Sequence, residues 1–299
     1  MWFQAFFLAL TFLAVALVSG NNLSACVGPA IGSKTLSKRA GILLGALGFS
    51  LGLVVQGPTM VVSFHSLLPS PSLVLEAEIL SVAILVFLVA DLIRSPISLS
   101  MCLVGLLIGL DVANGGSVKP FTFEIIAMWV VGPLAAIGLA FYLARIINRQ
   151  SKGNIWQRVR ALKLVLILLA FSTSYVLGAN TLGLIVAVGG FNPLSLLMAI
   201  VAIFVGSFLL SRGELRRVSQ ELFMIHYSNA TATLLTSTIL VELATLFNIP
   251  FSNTQALSAA LFGTGISYKT KLISLWPFLV IVSGWIIAPL IGFVAGLFL

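Results

Sequence analysis

Charge is what this sequence has least of. Only 8% of its 299 residues are Asp, Glu, Lys or Arg, where a soluble domain carries about 25%. Eight acidic residues are scattered along the chain. They form none of the acid clusters that hold catalytic metals, which argues against a membrane-embedded enzyme. Cysteine is nearly absent as well. Cys26 and Cys102 match no metal spacing and no redox motif, and read as small packing residues. The two histidines, His65 and His226, fall near expected helix ends and suit an interface better than a ligand set. No hydrophilic stretch is long enough for a separate domain, so recognition has to occur inside the apolar part of the chain.

That part is large. Hydrophobic residues make up 60% of the sequence. Runs such as "GILLGALGFSLGLVVQGPTMVV", "LVLEAEILSVAILVFLVADL" and "SLWPFLVIVSGWIIAPLIGFVAGLFL" exceed the ~18 residues that cross a bilayer as helix. The fold class is therefore all-α: a polytopic integral protein of the cell membrane. The net charge of +8 would suggest a nucleic-acid partner in a soluble protein. Here the basic residues lie in short loops and read as the positive-inside signal, so no nucleic acid is expected. The first twenty residues resemble a signal peptide. They lack its basic start and run into a motif that recurs later, so they are read as a retained first helix.

The chain repeats itself. "MWVVGP" places Trp129 four residues before Pro133, and "GWIIAP" places Trp285 four before Pro289, at an offset of 156. Pro96, Ser98 and Gly109 match Pro250, Ser252 and Gly263 at an offset of 154. Asn21 in "SGNNLSACVG" matches Asn180 in "GANTLGLIVA" at an offset of 159. The three pairs occur in one order, which divides the chain into halves at 1–150 and 151–299. Each half reads as a broken first helix, a second helix, a pair of segments around a proline-serine turn, and a last helix. The segment pair, re-entrant or fully spanning, returns to its own side. Three net crossings remain, so the second half is expected to be inverted. With the N-terminus outside, fourteen of the sixteen Lys and Arg fall inside, which supports the inversion and puts both termini outside.

Irregular backbone at membrane depth is tolerated only where it is buried in protein or lines a wet cavity. "SGNN" and "GAN" therefore mark a site, with amide donors and acceptors at matching places. "SPISLS" and "IPFSNT" add Ser98, Ser100, Ser252, Asn253 and Thr254 just after a proline, as at a helix start. The free N–H groups and positive end of such a helix suit an oxyanion. Freed carbonyls and the oxygens of Asn21 and Asn180 suit cations. Inverted repeats with interrupted helices typify secondary transporters. The competing reading is interhelical packing, since Ser, Thr, Asn and Gly also glue membrane helices together.

These motifs resemble those of the PiT inorganic phosphate transporters. That family carries G-x-N-D-x-A-N near the start of each half and a P-x-S-x-T-H turn later in each. Ser19 to Ala25 and Gly178 to Leu184 align with the first motif. Pro96 to Met101 and Pro250 to Gln255 align with the second. The resemblance covers nearly the whole chain. It implies an inverted-repeat carrier of inorganic phosphate, coupled to sodium or protons, with no other cofactor. By that match Ser98, Ser100, Ser252, Asn253 and Thr254 hold the anion, and Asn21, Asn22, Asn180 and Thr181 serve the coupling ion. The family aspartates are Asn22 and Thr181 here, its later asparagines Ala25 and Leu184, and its histidines Met101 and Gln255. The site loses up to two negative charges, which leaves sodium and proton coupling both open. Sulfate stays open as the alternative anion.

Two ionisable residues near the turns complete the candidates. Arg94 precedes Pro96 by two residues and is a candidate to supply positive charge to the anion, or to pair with Asp91. Glu242, eight residues before Pro250, is a candidate proton carrier or a structural carboxylate. Asp111, Glu76 and Glu78 read as interfacial. An anion channel or a receptor with a relict pocket are the other readings. The expected partners are phosphate or sulfate and membrane lipid, with a homodimer as an allowed assembly.

Overall fold

The computed structural model describes residues 2–68, 72–92, 98–149, 154–211, 227–268 and 275–299. Helices follow one another with no strand among the described residues. They are α1 (Trp2–Gly32), α2 (Lys38–Val55), α3 (Thr59–Leu67), α4 (Leu73–Leu92), α5 (Leu99–Ala113) and α6 (Pro120–Arg149). After these come α7 (Ile155–Leu177), α8 (Gly183–Val188), α9 (Pro193–Val205), α10 (Tyr227–Leu246), α11 (Asn253–Tyr268) and α12 (Leu275–Leu297). Among the described residues, seven helices are long and apolar enough to cross a membrane, one of them running from Trp156 through α8 to Val188. Leu134, Leu168, Leu197 and Leu290 are more than half exposed, which suits lipid rather than water. α5, at fifteen residues, is about 22 Å long at 1.5 Å per residue, short of the ~30 Å hydrocarbon core.

Local chemistry sets the boundaries. Asn192 caps α9 with a reciprocal capping box to Ser195, and Pro193 takes the first helical position, where its missing N–H costs nothing. α10 ends where Asn248 adopts a φ of 57°, a conformation asparagine tolerates. Pro250 follows and blocks continuation. Lys119, at the start of α6, donates to the Leu67 carbonyl at 2.9 Å and pairs with Asp111 at 3.2 Å, so it ties the ends of α3 and α5 together.

One expectation is corrected. α1 does not break at Val18–Ser24 but runs unbroken from Trp2 to Gly32. Its polar side chains bond to the helix itself: Ser19 Oγ to the Ala16 carbonyl, Asn22 Nδ2 to the Val18 carbonyl, and Ser24 Oγ to the Asn21 carbonyl. With these groups satisfied locally, no unwinding is needed to accommodate them. The second motif does depart from α-geometry. Gly178–Leu182 forms a π-helical turn between α7 and α8, a bulge that often marks functional positions.

The two short helices are gripped crosswise. α5 lies against α12, where a Cβ on Gly105 would sit 2.1 Å from the Pro289 carbonyl oxygen and one on Gly109 would sit 2.1 Å from that of Phe293. α11 lies against α6, where a Cβ on Gly263 would sit 2.3 Å from the Ile137 carbonyl oxygen. Only glycine permits such backbone approach. Gly109 and Gly263 differ by 154, and Phe293 and Ile137 by 156. The contacts thus recur at the offsets of the sequence repeat.

Candidate functional site

The proline-serine turns end where the two short helices begin. Ser98 sits in extended backbone as the cap of α5 and makes no side-chain bond to the helix. Its hydroxyl lies 3.1 Å from that of Ser100. The second turn repeats this pairing, with Ser252 Oγ 2.9 Å from Thr254 Oγ1. Both helix starts, with their N–H groups and positive dipole ends, border one small cavity.

Eight of the residues singled out in the sequence line that cavity: Asn21, Asn22, Ser98, Ser100, Thr181, Ser252, Asn253 and Thr254. Val18, Phe87 and Leu99 are the other described lining residues. These three carry no polar atom that a sequence motif would flag. Every described lining residue is uncharged. The Asn253 carboxamide accepts from Ser237 Oγ at 3.0 Å and donates toward Cys26 Sγ at 3.8 Å. Such a set, rich in hydroxyls, amides and open helix N–H groups, can surround a tetrahedral oxyanion with donors.

Two candidates lie elsewhere, and a third is outside the described residues. Asn180 is fully buried and is not part of the cavity wall. Its Nδ2 donates to Thr245 Oγ1 and to the Ile249 carbonyl, both at 3.0 Å, and its Oδ1 accepts from the Phe251 N–H at 2.9 Å. Three of the four hydrogen-bonding capacities of its carboxamide are thus taken by protein, which makes Asn180 a brace for the Ser252 turn. Glu242 is paired with Gln56, away from the wall, at 3.0 Å. Arg94 lies outside the described residues, as does Pro96.

Other positioning residues carried weaker signals. Trp129 Nε1 donates to the Pro250 carbonyl at 3.1 Å, and Gln255 Nε2 donates to the Trp129 carbonyl at 2.9 Å. The tryptophan of the W-x-x-x-P segment in α6 thus braces the other turn. Trp129 was visible as a repeat marker, but its partner was not. Gln56 was visible only as a lone amide in an apolar run.

A family model described as the phosphate transporter family matches the chain in two segments, residues 18–189 and 178–299. The chain is 27% identical to a provisionally named phosphate permease of Methanocaldococcus jannaschii, over 97% of this chain and 94% of that one. It is 25% identical to the sulfate permease CysP of Bacillus subtilis, over 84% of this chain and 73% of that one. A solved structure of a sodium-dependent phosphate transporter superposes with a TM-score of 0.85 at 16% identity, covering 100% of this chain and 98% of that one. It shares the fold. The chain belongs to the phosphate transporter family.

Proposed function

We propose that this family member is a secondary active transporter of inorganic phosphate, and that the anion binds in the cavity between the two short-helix starts. The observation that carries the reading is the two matched hydroxyl pairs, Ser98 with Ser100 and Ser252 with Thr254, on one cavity whose described residues are neutral and rich in donors. Hydrogen bonds from neutral donors in a low-dielectric site bind an anion without an opposing fixed charge. Transport is coupled to a cation, sodium or proton, and proceeds by alternating access. The crosswise packing of α5 on α12 and of α11 on α6 recurs at the offset of the sequence repeat, which supports two repeats at 1–150 and 151–299. The positive-inside count supports an inverted second half and both termini outside. In the sodium version, the side-chain oxygens of Asn21, Asn22 and Thr181 contribute neutral ligands. The protein acts as a permease without catalytic chemistry. It carries the anion among membrane lipids, and a homodimer suits its lipid-exposed apolar face.

A second reading is favoured by one observation. Phosphate at neutral pH carries an O–H that needs an acceptor, whereas sulfate carries none. The described wall residues include no carboxylate, the strongest acceptor for that O–H, which suits sulfate, and one relative is a sulfate permease.

Uptake of radiolabelled phosphate and sulfate into proteoliposomes tests both readings. Exchange accelerated by the same anion inside identifies a carrier, and its absence with persistent flux identifies a pore. The anion taken up selects between the two substrates. No flux of either anion refutes transport of both.

A further inference from the structure

We propose that Glu242, held by Gln56, is the site where this protein binds and releases a proton, apart from the oxyanion cavity and mechanically joined to it. The proposal rests on the reading of the chain as a cation-coupled anion transporter. Glu242 Oε1 accepts from Gln56 Nε2 at 3.0 Å, while Oε2 is buried with no partner. Among the described residues the one ion pair is Lys119 with Asp111, so no described cation neutralises Glu242. A half-buried carboxylate whose buried oxygen has no partner is incomplete. What completes it is a cation at Oε2.

The surroundings suit a proton rather than a metal ion. No group of three His, Cys, Asp or Glu gathers among the described residues, and Gln56 turns a donor toward the carboxylate. A glutamine amide serves both protonation states. Its N–H₂ donates to the carboxylate, and its oxygen, after a half-turn of the amide, accepts the acid O–H. The proton joins Oε2 from water on one side, which leaves a neutral acid, and departs to water on the other.

Among the described residues, one titratable group is within electrostatic reach. Tyr175 of α7 is within electrostatic reach. Lys163 lies over the Tyr227 ring at the far end of α10, and Arg145 lies over Phe141. Arg158 donates to the Ile147 carbonyl. On the other elements packed around α10 and α2, and on α2 itself, the described groups His65, Glu124, Tyr142, Arg149, Arg160, Lys38 and Arg39 are all exposed.

The link to the cavity runs both ways from the pair. On α10, Glu242 stands one turn before Thr245. Thr245 is held by Asn180, which also holds the Phe251 N–H beside Ser252. Gln56 caps α2 where it breaks into α3. There Gly57 packs against Gly183, two residues from Thr181 of the cavity wall. Neutralising Glu242 removes the charge that Gln56 holds, and so changes the grip between α2 and α10 on both flanks of the anion.

The test compares two transport modes in proteoliposomes, with phosphate and sulfate each as probe. One mode is accumulation driven by an inward proton gradient. The other is exchange against the same anion with no gradient. Glu242→Gln is expected to lose proton-driven accumulation and retain exchange. Accumulation that survives in Glu242→Gln overturns the proposal, and so does wild-type accumulation that follows sodium and ignores the proton gradient. If the variant is silent in both modes, infrared titration of the purified protein decides. A protonated-carboxyl band that grows as pH falls and is missing from Glu242→Gln upholds the site, and its absence from the wild type overturns it. If the wild type moves neither anion, the transporter reading fails while the same band still decides the proton site. As a positioning residue, Gln56 is expected to set the pH at which the band appears, so Gln56→Leu displaces that pH. An unmoved band removes Gln56 from the proposal.

Discussion

The Asn180 side-chain oxygen accepts the Phe251 N–H at 2.9 Å, so the π-helical turn after α7 fixes the backbone one residue before Ser252. Asn180→Ala leaves the Phe251 N–H, the Ile249 carbonyl and the Thr245 hydroxyl without this partner. Each unsatisfied buried group costs about 1–3 kcal/mol. The variant is expected to melt at lower temperature in detergent and to lose anion binding. An unchanged melting temperature with altered ion dependence would instead make Asn180 an ion ligand.

The hydroxyl pairs should act on affinity rather than on folding. Ser98→Ala or Ser252→Ala removes one neutral hydrogen bond to the anion, worth about 0.5–1.5 kcal/mol, or roughly two- to tenfold in exchange KM. Thermal stability stays close to wild type. The Ser98→Ala and Ser252→Ala effects should multiply in the double variant if both turns hold one anion. KM values unaffected by either change would place the anion elsewhere.

Adding charge to the cavity should change the ion dependence. Asn22→Asp or Thr181→Asp puts a carboxylate on a wall whose described residues are all neutral. Like charges repel in this low-dielectric setting, so anion affinity without sodium is expected to fall, and sodium should restore it. Anion binding measured with and without sodium is the check. Unchanged affinity in sodium-free buffer would show that these side chains do not face the ligand.

The crosswise helix contacts set a steric limit. Gly109→Ala and Gly263→Ala each drive a methyl group into a backbone oxygen, of Phe293 and Ile137 respectively. The helix pairs must separate, at a cost of about 1–3 kcal/mol, and less monodisperse protein should be recovered by size exclusion. Gly138→Ala, where a Cβ would meet nothing within 4 Å, is the matched control and should behave as wild type.

Much of the cavity was legible because chemistry and repetition coincided. Ser98 and Ser252 share a motif, a spacing and a place after proline, and the fold brings them to the same wall. Asn21 and Asn180 share a motif too, yet they part in the structure. Sequence spacing cannot show that the π-helical turn aims Asn180 at residues 249–251. The break expected in α1 failed for a related reason. Ser19, Asn22 and Ser24 find acceptors on their own helix, and composition does not distinguish that from unwinding. The Gln56–Glu242 pair joins residues 186 apart that belong to no repeated motif, so nothing in the chain announces it.

The grip of α12 on α5 also governs how the molecule is made. Residues 99–113 enter the membrane long before residues 275–297 leave the ribosome. Until then the Gly105–Gly109 face has no partner and must be covered by lipid or by the insertion machinery. The contact between α5 and α12 therefore forms only once α12 has been made. A nascent chain stalled before Leu275 exposes a glycine groove open to any passing helix, a natural handle for quality control.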